Sequence, residues 1–327
     1  SNYSAAAGEL PTRNFSDQRL AANLEWTHSL NRMRRGIFGV NASAETDYVS
    51  SGLSYSLEQD FNNKLTTLTL GGSVNYDVVQ PRGGTPQGLQ LLSVAVANSP
   101  TTFGEEGEGE GVPGDPKVGT DWLVGLSQVL NKRTLMQLNY SYGYSSGYLT
   151  DPYKLLSVVD STGQTVDYRF EQRPDVRSRQ SVYWQLVHEF GRHVMHLSYR
   201  YYWDDWNIQS QTTDLRFRWE LNPRHYLEPH VRYYHQSAAD FYHYSLQQGQ
   251  IPAAASADPR LGEFDGYTYG MKYGMKVGKD GEFSVRAEYL TQVGNSSPDS
   301  AVGIQRQFDL YPDLQAVILQ VGFSKNF

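Results

Sequence analysis

The chain has no cysteine among its 327 residues. That excludes disulfides, thiolate metal sites, iron–sulfur clusters and haem attached through C-x-x-C-H, so any redox centre has to come from a partner. No stretch approaches the ~18 consecutive apolar residues of a membrane-spanning helix, and helical insertion is excluded. Charge is sparse and not basic: charged residues make up 19%, the formal net charge is −7 and the pI is near 5.6, which argues against nucleic acid as a partner. A G-x-S-x-G elbow, an H-E-x-x-H pair and a P-loop are missing. So are a start Met and a charged-then-apolar leader, and a chain that begins at Ser1 reads as processed, or shortened further than processing requires.

What is abundant is aromatic. There are 24 Tyr, 13 Phe and 6 Trp in a chain whose mean hydropathy is −0.56. A soluble core concentrates Leu, Ile and Val; an aromatic-rich face toward lipid opposite a polar face toward water averages to a polar sequence. The period agrees. In 192–203 one face is Met195, Leu197, Tyr199, Tyr201 and Trp203 and the other is His196, Ser198, Arg200 and Tyr202. Leu215, Phe217, Trp219 and Leu221 alternate with Asp214, Arg216, Arg218 and Glu220. The same period of two recurs at 67–76, 136–142 and 282–289, in segments long enough for a tilted strand to cross a bilayer.

Connections sort into two kinds. Short turn signals at 61–64, 130–133, 190–193, 221–224 and 278–281 alternate with long polar or Gly/Pro-rich loops at 80–117, 146–179, 237–264 and 294–312. Tight turns on one rim and long loops on the other is the plan of bacterial outer-membrane barrels, with the tight turns periplasmic. The predicted fold is all-β, one antiparallel transmembrane barrel over 1–327. Thirteen strands are predicted near 18–28, 35–45, 50–60, 64–79, 119–130, 133–145, 180–190, 192–203, 208–221, 224–236, 266–277, 281–292 and 314–327. Such barrels normally have an even number of strands, so about 14–16 are expected when complete. Either N-terminal strands precede Ser1 or a strand such as Leu89–Ala97 escapes the count.

The last segment, Leu319 to Phe327, alternates and carries Phe323 and Phe327 four positions apart at its end, which resembles the signal read by the outer-membrane assembly machinery. Other runs resemble a family of Gram-negative outer-membrane proteins catalogued as a domain of unknown function. They are 43–50, 138–142, 147–154, 197–202 with Asp204-Asp205-Trp206, Leu227-Glu228-Pro229, 238–242 and 255–258. The resemblance implies extra barrel strands ahead of this starting point and supplies no catalytic residue. Members of the family are often encoded beside flavin-transferase and thioredoxin-like proteins, which implies an envelope redox or maturation context with the redox centre on a partner.

No constellation reads as a catalytic, cofactor or metal site. His193 and His196 are three apart, hence on opposite faces of a strand, and cannot chelate one ion. Asp204-Asp205 beside Trp203 and Trp206 reads as an extracellular turn topped by interface aromatics rather than a carboxylate pair on a sugar platform. The acidic Gly104–Gly111 run reads as a solvated loop tip rather than a cation trap. Inward charges are the informative set: Arg200, Asp214, Arg216, Arg218, Glu220, Glu228, Arg232, Lys272, Lys276, Arg286 and Glu288 are predicted to line a lumen. Such a mixed-sign wall can knit a barrel together or line an aqueous path and set its ion preference. The expected function is non-enzymatic: a porin-like passage, or a scaffold in the bacterial outer membrane seating a periplasmic or lipoprotein partner, with 146–179 as a candidate plug. An outer-membrane hydrolase is the remaining alternative.

Overall fold

Every long polar-apolar alternation in the sequence forms a strand. The computed structural model describes residues 18–81, 84–92, 114–278, 280–311 and 313–325. In chain order the first strands are β1 (Leu20–Asn31), β2 (Arg34–Ala44), β3 (Tyr48–Phe61), β4 (Thr66–Val79), β5 (Asp115–Asn131) and β6 (Thr134–Gly147). The next are β7 (Leu155–Val159), β8 (Thr165–Phe170), β9 (Val176–Phe190), β10 (His193–Asp204), β11 (Gln209–Asn222) and β12 (His225–Gln236). The last are β13 (Leu246–Gln247), β14 (Phe264–Val277), β15 (Gly281–Gly294) and β16 (Leu314–Lys325). Thirteen form one antiparallel sheet in the order β1-β2-β3-β4-β5-β6-β9-β10-β11-β12-β14-β15-β16, and β13-β7-β8 form a second, small sheet. A 14-residue strand such as β4, β11 or β14 rises about 46 Å and, tilted by about 40°, covers about 35 Å, enough for the hydrocarbon layer.

All thirteen predicted strands are present. The first and last strands run in the same direction and, among the described residues, the outer edges of β1 and β16 are unpaired, so a direct seam between them would be parallel, unlike every other pair in the large sheet. Of Leu89–Ala97, the segment offered to explain the odd count, only 89–92 are described, and there Leu91 makes a single bridge to Arg169; 93–97 lie outside the described residues, as do Ser1–Asp17, the acidic Gly104–Gly111 run and Phe327.

One device recurs at the periplasmic rim. Asn31, Asn131 and Asn222 each sit at the end of a strand, and each side-chain oxygen accepts the backbone N–H two residues on, from Met33 (2.8 Å), Arg133 (2.9 Å) and Arg224 (2.9 Å). The pairing register shifts by one residue just before each of the three. Asparagine suits this because its short amide mimics a backbone turn.

The core lies where no barrel strand is. Apolar side chains on the outer face of the large sheet are exposed, Trp219 at 52% and Leu70 at 47%, as lipid-facing residues are. Apart from Tyr226 on β12, the buried ones among the described residues sit in the extracellular connections. Leu156 packs with Leu89, Leu246, Ala255 and Ala257, and Trp206 packs with Ile208, Ala239, Phe241 and Leu261. The described parts of the connections that follow β4, β6, β10 and β12 are thereby knitted into one cap, which holds β7, β8 and β13, and the connection after β15 joins it. The turn between β7 and β8 locks onto the last connection: Gly163 has φ +84 and a Cβ there would lie 2.1 Å from the Val302 carbonyl, while Ile304 N–H donates to Thr162 O at 2.8 Å. Only glycine fits this left-handed, close-packed position. The segment 146–179, a candidate plug in the sequence, ends in β6 and β9 and between them is a folded part of this cap.

Candidate functional site

Inward residues from β10, β11, β12, β14 and β15 form the wall of the lumen, because the even-numbered positions of these strands share one face. All eleven charges expected to line it lie on that face. The lower half is densely paired. His230, buried, has Nε2 2.8 Å from Asp214 and Nδ1 2.9 Å from Glu288, so one imidazole links β11, β12 and β15. Arg218 donates to Glu220 at 2.7 Å, Arg286 lies 3.9 Å from Glu228 and 3.8 Å from Glu288, and Lys272 lies 3.4 Å from Glu282. Lys276 stands opposite Glu282 in the register of β14 and β15.

Tyr226 is the hub of this half and was not singled out in the sequence. Fully buried, it donates to Glu282 at 2.6 Å, carries the Arg218 guanidinium 3.7 Å above its ring, and covers Gly274 on the neighbouring strand, where a Cβ would meet the ring at 2.1 Å. The signal was legible only in register, since Gly274 pairs directly with Tyr226 and a glycine beneath a cross-strand aromatic is a known fit.

The upper half differs. A cavity of about 260 Å³ is lined by Tyr183, His196, Ser198, Arg200, Arg216 and Arg232 among others, and one of about 430 Å³ above it is lined by Arg200, Thr212 and Arg232 from the wall and by Arg173, Asp258 and Arg260 from the cap. Arg200, Thr212 and Arg232 belong to both, so the two spaces adjoin. Among the described residues the side chains of Arg200 and Arg232 have no hydrogen-bond or ion-pair partner.

The cap is fastened over this space by buried ions. Glu171 is 0% exposed and lies 2.6 Å from Arg173; it accepts from the Asp151 N–H at 2.7 Å and from the Ser256 hydroxyl. Arg173 also reaches Asp258 at 3.0 Å, and Arg260 pairs with Asp258 and, at 3.3 Å, with Asp151. Burial pushes the Glu171 carboxyl up, against the pull of Arg173 and Ser256. Burial is also the largest single influence on Asp258 and acts upward, but the hydrogen bonds and charge of Arg260, with Lys154 and Arg173, outweigh it and hold this carboxyl below its ordinary 3.8. None of these cap ions was predicted as a site residue, although the runs 147–154 and 255–258 had been noted, and both converge on Glu171.

The Asp204-Asp205 turn differs from expectation only in its aromatics. It is extracellular and, as expected, its two carboxylates are not a pair. The Asp204 carboxylate is buried, takes Arg177 at 2.6 Å and accepts the backbone N–H groups of Trp206 and Ile208, while Asp205 is exposed. Trp206 is 4% exposed beneath Arg177, whose guanidinium lies 4.2 Å from its ring, so it is a core residue of the cap and not an interface aromatic. His193 and His196 do face opposite ways, His193 toward Phe217 and His196 into the smaller cavity. Phe323 is on the last strand, 65% exposed opposite Phe283. No cluster of metal-ligating residues occurs among the described residues.

An antiparallel sheet of bilayer-spanning strands, apolar outside and charged within, with tight turns on one rim and folded loops on the other, defines a bacterial outer-membrane β-barrel. Within that class the chain belongs to the family described as Protein of unknown function (DUF3570), whose family model matches residues 1–325. No curated protein matches by sequence. Among solved structures the fold is similar to the siderophore receptor PirA from Acinetobacter baumannii, at 10% identity and a TM-score of 0.51 over 94% of this chain and 49% of that one. CdiB from Escherichia coli gives 10% identity and 0.49 over 94% and 53%, and the outer membrane transporter YddB from Escherichia coli 10% and 0.48 over 84% and 40%. The chain therefore spans about half the length of these structures, and at such identities the likeness is one of fold alone.

Proposed function

We propose that the protein is a non-enzymatic passage across the outer membrane, a polar lumen covered at its extracellular mouth by a folded cap. The observation that carries this reading is the pair of adjoining, polar cavities along the upper wall, directly beneath a cap held by ion pairs among its own loops. The wall below carries Arg218, Glu220, Glu228, Lys272 and Lys276 toward the periplasmic rim, charges that suit a wetted lining. Outer-membrane lipid and the assembly machinery are the partners this role requires.

A second reading, a scaffold that seats a periplasmic or lipoprotein chain in the lumen, is supported by the tight periplasmic turns, which leave that rim uncovered while the other is capped. Planar-bilayer recording separates the two. A passage gives discrete unitary conductance steps from protein that shifts mobility on heating in SDS gels; correctly folded protein that inserts and never conducts contradicts it. A scaffold brings a stoichiometric polypeptide with it from native membrane, and repeated isolation of the chain alone counts against that role.

A further inference from the structure

A cation inside a barrel is normally answered by a carboxylate, as Arg218, Arg286 and Lys272 are in the lower wall. Arg200 and Arg232 are not, and they sit together. In register Arg200 faces Thr212, and Arg232 faces Asp214, one inward step along the same strand. The two arginines thus flank β11 at two strand spacings of about 4.8 Å each, within reach of a single small ligand between them. Both line both cavities.

The neighbours are donors. Arg216 lines the smaller cavity, its Nε 3.3 Å from Asp214 Oδ1 without hydrogen-bond geometry. The hydroxyls of Ser198, Thr212 and Tyr183 line the same space. The one carboxylate there, Asp214, is already engaged by His230 at 2.8 Å and lies 3.3 Å from Arg216. Three guanidiniums against one committed carboxylate leave a local excess of positive charge on a chain whose net charge is −7.

We propose that Arg200, Arg232 and Arg216 form a binding site for a small solute bearing an oxyanion, a carboxylate or a phosphate. This deepens the passage reading, on which it rests for the solute's route. Guanidinium groups match such oxygens in fork geometry, and the hydroxyls complete the shell. The site lies immediately under the cap, so a bound anion sits at the step between entry from outside and the paired wall below.

Calorimetric titration of the detergent-solubilised full chain at low ionic strength tests the site, with inorganic phosphate and succinate as probes. Saturable binding of at least one probe is expected, and the tighter of the two identifies the oxyanion. Arg200→Gln combined with Arg232→Gln should weaken it at least about tenfold. Lys132→Gln combined with Arg133→Gln, which removes the same charge at the periplasmic turn, should change it less than about twofold. A flat wild-type titration, or equal losses in both double variants, overturns the site. Bilayer recording keeps the two ideas apart: saturable binding without conductance leaves the site and removes the passage, whereas conductance with a flat titration and no anion preference leaves the passage and removes the site.

Discussion

Phe217→Arg should cost the folded protein about 2–4 kcal/mol, read as a lower urea midpoint for refolding into lipid vesicles, because it places a cation on the lipid face of a central strand. Phe217 pairs with Met195 across β10 and β11, on the side opposite the lumen charges. Arg216→Ser, one residue away, removes a charge from the water-facing wall, where Asp214 keeps His230 as a partner. It should refold close to wild type. The comparison is internal to one strand, so expression and loop effects are shared. Equal damage from the two would mean that the faces of β11 are assigned the wrong way round.

Asp258→Asn should open the cap while leaving the barrel intact. Asp258 is 1% exposed and holds both Arg173 and Arg260; removing one partner from a buried ion network typically costs about 3–5 kcal/mol. The loss falls on the cap, so limited proteolysis should cut within 148–175 and 237–263 while heat-modifiable mobility persists. The pH dependence has a definite sign. A carboxyl held below 3.8 in the folded state contributes stability that is present above that value and lost as pH falls through the lower, folded one. Glu171 acts oppositely, since its raised value favours the folded cap at acidic pH and is a cost as pH rises through it. Protease resistance should therefore hold through mild acid and fail only below about pH 3.8, and failure near neutrality would assign the fastening to other groups.

The barrel was legible because lipid outside and water inside impose a period of two that survives in the sequence. Leu215, Phe217 and Trp219 against Asp214, Arg216 and Arg218 leave little choice of register, since a slip of one residue would bury charge in lipid. The cap was not legible. Leu155-Leu156-Ser157-Val158-Val159 is buried on both faces, so it shows no alternation, and its partners are remote: Glu171 meets Ser256 across 85 positions. Asp204-Asp205-Trp206 misled in part because an aromatic at an extracellular turn looks alike whether it touches lipid or a folded loop; only Arg177 and Val176, which receives the indole N–H at 2.9 Å, distinguish the two. For the lumen, the facing of Arg200 and Arg232 could be read from alternation, but their lack of partners could not, because pairing depends on which strands are neighbours.

The natural absence of cysteine permits the most direct test of a water-filled, lipid-surrounded barrel. Single cysteines placed in turn at Asp214, Leu215, Arg216, Phe217, Arg218 and Trp219 would be exposed, in refolded protein in vesicles, to a charged, water-soluble thiol reagent. The account predicts labelling at Asp214, Arg216 and Arg218 and protection at Leu215, Phe217 and Trp219. Uniform labelling along the strand, or the reverse alternation, would contradict it.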